Sequence, residues 1–421
     1  MKILTRLPVV TLLIVSATFL GDEILRTSLS THGIALAFND NMAACSIPTN
    51  EFVSLIQSIN HAEENFLFGT EISVPRMWWG AILGLNNSLD EPLERKALEQ
   101  RILQLREESR IIPELAIFLR IQEVRSERNA QDFFLLVSSL CQAGLITKAE
   151  IHTERAIRRA HASLGDPYST YLTPAEAERY VLESVREMHV QENAVERTGF
   201  EYFVRLSENI YILRINSFFS QQVVSDVRST LEKIVDECSF PNIILDLRNN
   251  LGGFTDASIG VSQSFLRNAT IAQFEDREGL RESFVADNDD NNFHFKSITV
   301  LVNHETASAA EIVTAALGEN GALIVGTETY GKAVGQRVQH LRNGWAARIT
   351  SFRVYSPLGN TWQGTGITPE IDIETFVFTL DDEEEGGWSQ DLLSTHRLDP
   401  LVLASYQLIR QRESWDPRCG P

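Results

Sequence analysis

The stretch Lys296 to Gln336, KSITVLVNHETASAAEIVTAALGENGALIVGTETYGKAVGQ, sets one short apolar run against an alanine-rich one and decides how the rest of the chain is read. Ser297 to Asn303 is β-branched and apolar over a strand's length, whereas Ser308 to Leu317 has the apolar spacing of a helix. His304 to Ala307 is the turn between them. Ser308 is therefore expected at or near a helix N-terminus, where unpaired N–H groups and the macrodipole favour developing negative charge. A second apolar run, Ala322 to Val325, leads through Gly326-Thr-Glu-Thr-Tyr-Gly331 to Lys332. If both runs lie in one sheet, Ser308 can meet Lys332. A serine hydroxyl becomes a useful nucleophile when a neighbour takes its proton, and a lysine does this only where burial leaves its amine neutral. The small and apolar neighbours Tyr330, Gly331, Ala333 and Val334 suit such an amine. On spacing alone the commoner meaning is an N-cap serine and a surface lysine, and that alternative stays open at this point.

ETASAAEI followed by GTETYGKAVGQ resembles the nucleophile and base segments of the carboxyl-terminal processing, or tail-specific, proteases, a family of Ser-Lys enzymes. Three more segments extend the resemblance in the family's order: Leu164 to Pro174 (LGDPYSTYLTP), Asn242 to Gly253 (NIILDLRNNLGG) and Tyr355 to Ile373 (YSPLGNTWQGTGITPEIDI). The resemblance implies Ser308 as nucleophile, Lys332 as base and Gln336 as the residue orienting the lysine. It also implies an oxyanion hole made by the backbone N–H groups of Gly252 or Gly253 together with Ala309, which in acyl transfer is often the dominant electrostatic contribution. Taken by itself, Asn249-Asn-Leu-Gly-Gly253 is an ordinary Asn- and Gly-rich turn. The implied fold is α/β, a crotonase/ClpP-like catalytic domain with an N-terminal all-helical domain. The implied substrate is a polypeptide, engaged through its C-terminus, and no cofactor is needed.

Several positions depart from the family pattern. Ala310 stands where serine is frequent, Ala333 where glycine is usual, and Leu251 where proline is usual; the connection at Gly318 to Gly321 is one residue short. None of these removes a reacting group, but together they keep open a catalytically weak or inactive peptide-binding or scaffold protein on the same fold. In the family, LGDPYSTYLTP is usually followed by a peptide-binding PDZ module. Here only Val185 to Glu201 separate the helix begun at Pro174 from the next strands, so the module is expected to be missing.

Other chemistries are disfavoured by the same residues. Gly326 to Lys332 fits the G-x-x-x-x-G-K part of a phosphate-binding loop, yet Ala333 follows, so the hydroxyl that should hold Mg²⁺ is absent. A formal charge of −20 over 421 residues also argues against nucleic acid. His304 and His340 flank the site, but the chain has no G-x-S-x-G elbow for a histidine-based hydrolase. The nine histidines and four cysteines show no metal-ligand spacing, so no metal is expected.

Met1 to Leu20 carries Lys2 and Arg6 before the apolar run Leu7 to Leu20, the layout of an export signal. That run is shorter than the roughly 20 residues a membrane-spanning helix needs. The expected location is periplasmic or extracellular, or at the membrane through an uncleaved N-terminal segment. Cys45, Cys141, Cys238 and Cys419 allow three pairings, and the sequence chooses none. The expected organisation is a signal or anchor with linker (1–37), a helical domain (38–190), an α/β catalytic domain (191–375), and an acidic loop with a C-terminal helix and tail (376–421). Within the helical domain, Leu98, Ile102 and Leu105 have helical spacing, and Trp78 and Trp79 are either core or groove residues. Within the catalytic domain, Glu201 to Leu206, Ile210 to Phe218, Asn242 to Arg248 and Gly344 to Tyr355 read as strands, and Ser220 to Glu237 as a helix. Strand, helix and strand in that order imply a crossover in a parallel sheet.

Overall fold

The apolar runs singled out above lie side by side in one sheet. A computed structural model describes residues 49–68, 77–78, 80–81, 84, 149–177, 199–287, 293–372 and 400–412. The first elements are α1 (Thr49–Asn65), α2 (Ala149–Ala162), β1 (Thr170–Leu172), β2 (Phe200–Arg205), β3 (Ile210–Ile215) and α3 (Gln222–Glu237). There follow β4 (Asn242–Asp246), α4 (Thr255–Phe265), β5 (Ala269–Glu275), β6 (Arg281–Ala286), β7 (Ser297–Val302) and α5 (Ala309–Glu319). The last are β8 (Leu323–Gly326), β9 (Val334–His340), β10 (Ala346–Tyr355), β11 (Ile371–Asp372) and α6 (Pro400–Arg412).

The main sheet has the order β11-β8-β7-β4-β3-β2, parallel throughout except for β2, which closes an antiparallel hairpin with β3. Its strands read IYILRI, NIILD and SITVLV because both faces are covered, which removes the polar alternation of a half-exposed strand. Alternate side chains serve opposite cores. Tyr211, Leu213, Ile215, Ile243, Leu245, Val300 and Val302 pack with α3, α4 and α5, whereas Ile212, Ile244 and Leu301 pack with Val402 and Ile409 of α6.

A second sheet, antiparallel, runs β1-β10-β5-β6 with β9 also on β10. Of its strands only β10 was anticipated. VGQRVQH and RESFVA carry too many polar residues to stand out, because much of their length is exposed. The expected strand and helix boundaries otherwise hold to within three residues. Ser308 itself is the N-cap rather than the first residue of α5.

The helices α1 and α2 belong to the expected helical domain, most of which lies outside the described residues. Ser58 Oγ and His161 Nε2 join the two helices at 2.5 Å in a buried contact. The N-terminal helix docks on the second sheet: Leu67 N–H donates to Thr350 O at 2.9 Å, and Asn343 N–H donates to Ser54 Oγ at 3.1 Å. Trp78 is buried, which makes it a core residue. Trp79, Leu98, Ile102, Leu105, residues 185–198 of the Val185 to Glu201 stretch where a PDZ module was expected to be missing, the N-terminal 1–37 and the acidic run 381–387 lie outside the described residues. Cys238, buried at the C-terminus of α3, is disulfide-bonded.

Candidate active site

Three parallel strands deliver the site. At the end of β4, the buried Asp246 carboxylate accepts from Arg248 Nε (2.8 Å), Arg248 Nη2 (2.7 Å) and Arg214 Nη1 (2.8 Å), so the strand end is fixed by charge-assisted bonds. The glycine turn that follows is stitched to the turn after β7. Asn249 N–H donates to Asn303 Oδ1 at 3.0 Å, Ala307 N–H donates to Asn250 O at 2.9 Å, and Thr306 Oγ1 donates to Leu247 O at 3.0 Å.

Gly252 and Gly253 are required by close approach. Gly252 has φ 93°, and a Cβ there would stand 2.6 Å from Ala307 O, 2.8 Å from Ser308 Cβ and 2.9 Å from Ala309 N. Gly253 bridges Phe218, where a Cβ would stand 2.2 Å from the Phe218 carbonyl carbon. The two glycines differ in their N–H groups. That of Gly252 donates to Asn250 Oδ1 at 2.9 Å, with Asn250 itself buried and held by Ile215 O. Among the described residues, the N–H groups of Gly253 and Ala309 have no acceptor.

Ser308 is half-buried at φ 55°, ψ −115°. A non-glycine residue there carries about 1–3 kcal/mol of strain that the surroundings must offset. They do so through Glu311, three residues on and fully buried. Its Oε2 accepts Ser308 N–H at 2.7 Å and Lys332 N–H at 2.9 Å; its Oε1 accepts Gly331 N–H at 2.7 Å and Thr329 Oγ1–H at 2.6 Å. One oxygen atom thus bonds the backbones of both predicted reacting residues, distant in sequence.

Lys332 precedes β9, and Gln336 lies within it. Lys332 Nζ donates to Gln336 Oε1 at 3.0 Å and sits 4.9 Å from the centre of the Tyr168 ring. Burial pushes the ammonium down to about 8; the Arg348 guanidinium adds to this, while Asp166 and Glu311 oppose it. No direct hydrogen bond joins Nζ to the Ser308 hydroxyl among the described residues. The segments resembling the family's ends are braces for this loop. Asp166 accepts from Ser169 Oγ and Thr350 Oγ1, and Thr350 is the cross-strand partner of Gln336. Gln363 Oε1 accepts Ala333 N–H at 2.7 Å, and Gly364 N–H donates to Gly331 O at 2.8 Å.

Ser308, Lys332, Gln336, Gly252, Gly253 and Ala309 are therefore all in one region. Glu311, Tyr168, Asp166 and Arg348 were missed from sequence. Glu311 had a signal, the S-x-x-E pattern of a capping box; the others reach the site only through the second sheet. His304 is exposed and lines a cleft of about 480 Å³ with Thr327, Glu328, Thr329, Tyr330 and Asp372, beside the nucleophile turn.

Residues 209–373 match Peptidase family S41. The carboxy-terminal-processing protease of Bartonella bacilliformis is 34% identical over 178 residues, 40% of this chain and 40% of that one. The chloroplastic carboxyl-terminal-processing peptidase 3 of Arabidopsis thaliana is 35% identical over 159 residues, 37% of this chain and 30% of that one. The match to the Bartonella protein thus spans about two fifths of that relative's length. Among solved structures, a photosystem II D1 C-terminal processing protease aligns at 16% identity with a TM-score of 0.47, over 77% of this chain and 93% of that one. The matched segment holds the glycine turn, the serine and the lysine together, and residues 209–373 are thus a Peptidase family S41 segment similar to the carboxyl-terminal processing proteases.

Proposed function

We propose that this protein is a serine endopeptidase that cuts exported polypeptides with a Ser308–Lys332 dyad. The observation that carries the reading is the shared Glu311 oxygen, which sets the two backbones together, beside an amine that burial has made less basic. The neutral Nζ still donates one hydrogen to Gln336 Oε1 and keeps its lone pair for the serine proton. A swing of Nζ toward Oγ in the substrate complex completes the dyad, since catalytic hydrogen bonds often tighten only there.

In the first step Ser308 Oγ forms a bond to the scissile carbonyl carbon while its proton passes to Lys332 Nζ, giving an ammonium and a tetrahedral oxyanion. The free N–H groups of Gly253 and Ala309 are the donors assigned to that oxyanion, and the N–H of Gly252 is assigned to holding the turn. The ammonium then gives its proton to the leaving nitrogen as the C–N bond breaks. Water, deprotonated by the same amine, releases the acyl group from Ser308. The substrate is an extended or unfolded chain cut near an apolar C-terminus. Export is supported by the N-terminal basic and apolar layout and by the disulfide at Cys238.

Ser308→Ala is expected to abolish cleavage of an unstructured substrate such as casein, by about 10⁴-fold or more in kcat. Equal cleavage by wild type and variant would end the proposal, while a wild type that binds casein without cutting it would select the scaffold alternative. The pH profile is a second expected result. With an amine of pKa about 8 in the free enzyme, kcat/KM rises roughly tenfold per pH unit on the acid side and levels above about 8. A flat profile between pH 6 and 9 contradicts lysine as the base.

A further inference from the structure

We infer that Glu311 is a positioning residue for the Ser308–Lys332 pair, its one carboxylate holding nucleophile and base in register; the inference rests on the peptidase reading above. An ordinary capping glutamate returns to its own N-cap N–H and nothing else. This one does that and also takes both amides of the lysine loop and the Thr329 hydroxyl, from a fully buried position. Four donors face two oxygens. That arrangement fills the acceptor sites of an ionised carboxylate, and three of the four partners are backbone N–H groups that can only donate. Burial favours the neutral acid and raises the pKa, while the Thr329, Lys332, Gly331 and Ser308 bonds favour the anion.

The charge has a second consequence. The groups facing Lys332 are Arg348 on β10, Asp166 and Tyr168 ahead of β1, and Glu311 on α5. Of these Glu311 alone also bonds the serine's backbone, so it couples geometry to protonation. Its anion favours the ammonium and Arg348 disfavours it.

Glu311→Gln tests this. Whichever way the amide is turned, its NH₂ faces backbone N–H donors, at Gly331 or at Ser308 and Lys332, and one set of bonds is lost. The expected result is a fall of about 10²-fold in kcat with KM within threefold of wild type, the size of effect that an ångström-scale misplacement brings. With the negative charge gone, the acid limb of kcat/KM moves to lower pH. The Lys332 titration, followed by NMR of ¹³C-lysine-labelled protein, moves the same way without reference to turnover. If Glu311→Gln does not fold, Glu311→Asp keeps the charge on a shorter arm. For that variant kcat falls and the limb stays. Lower thermal stability with kcat and limb both unchanged would leave Glu311 a plain helix cap and overturn the inference. Ser308→Ala, assayed beside them, separates the cases: if it cleaves as wild type does, the peptidase reading fails rather than the role of Glu311.

Discussion

Lys332→Arg is expected to be as inactive as Lys332→Ala, about 10⁴-fold or more below wild type in kcat/KM, although it keeps the charge and much of the length. The reason is the state the amine must reach. A lysine pushed down to about 8 is neutral in a usable fraction near neutral pH, and its lone pair can take the serine proton. Guanidinium stays protonated and offers donors only. It also brings a wider planar group beside Tyr168 and next to Arg348, a cation already present. A conservative exchange by charge is thus a complete one by chemistry. The measurement is casein cleavage from pH 6 to 10, with circular dichroism to establish that the fold is retained. An arginine variant with a tenth or more of wild-type activity would show that the site needs a positive charge and not a base.

Gly252→Ala is expected to cost at least 10²-fold in kcat and to lower the melting temperature. An L residue at φ 93° pays about 1–2 kcal/mol for its backbone alone. The contacts add more, because the new methyl would meet Ala307 O at 2.6 Å, Ser308 Cβ at 2.8 Å and Ala309 N at 2.9 Å. All three atoms belong to the nucleophile turn, so relief requires that turn to shift. Gly279→Ala is the control. Its φ of 79° carries the same kind of strain, but no atom lies within 4 Å of the added carbon. It should lose a little stability and no activity. Matching losses of activity in the two variants would mean that strain, and not the approach of the glycine turn to Ser308, explains the effect.

How much of this was legible in the sequence follows from what each residue answers to. The parallel strands were readable because burial on two faces leaves unbroken apolar runs such as NIILD and SITVLV. Ser308, Lys332 and Gln336 could be named because ETASAAEI and GTETYGKAVGQ resemble segments of a known family, whereas spacing alone left an N-cap serine and a surface lysine as the commoner meaning. The second sheet was not readable. Its strands β5, β6 and β9 are part-exposed; β5 takes its register from β10, far along the chain, and β6 takes its own from β5. That the Gly252 N–H is taken up within its own turn was equally hidden, since it depends on where the Asn250 side chain lies. Arg348 is opposite Thr170 on β1 and Val338 on β9, so its influence on Lys332 follows from strand pairing and not from any local pattern.

The Tyr168 ring and the Asp166 carboxylate both come from upstream of residues 209–373. The candidate site therefore draws on more of the chain than the stretch that comparison with relatives recognises. Lifting Leu164 to Leu172 off its strand would rehydrate the amine and restore its everyday basicity. The proposed dyad would then lose its neutral amine with Ser308, Lys332 and Gln336 all still in the chain.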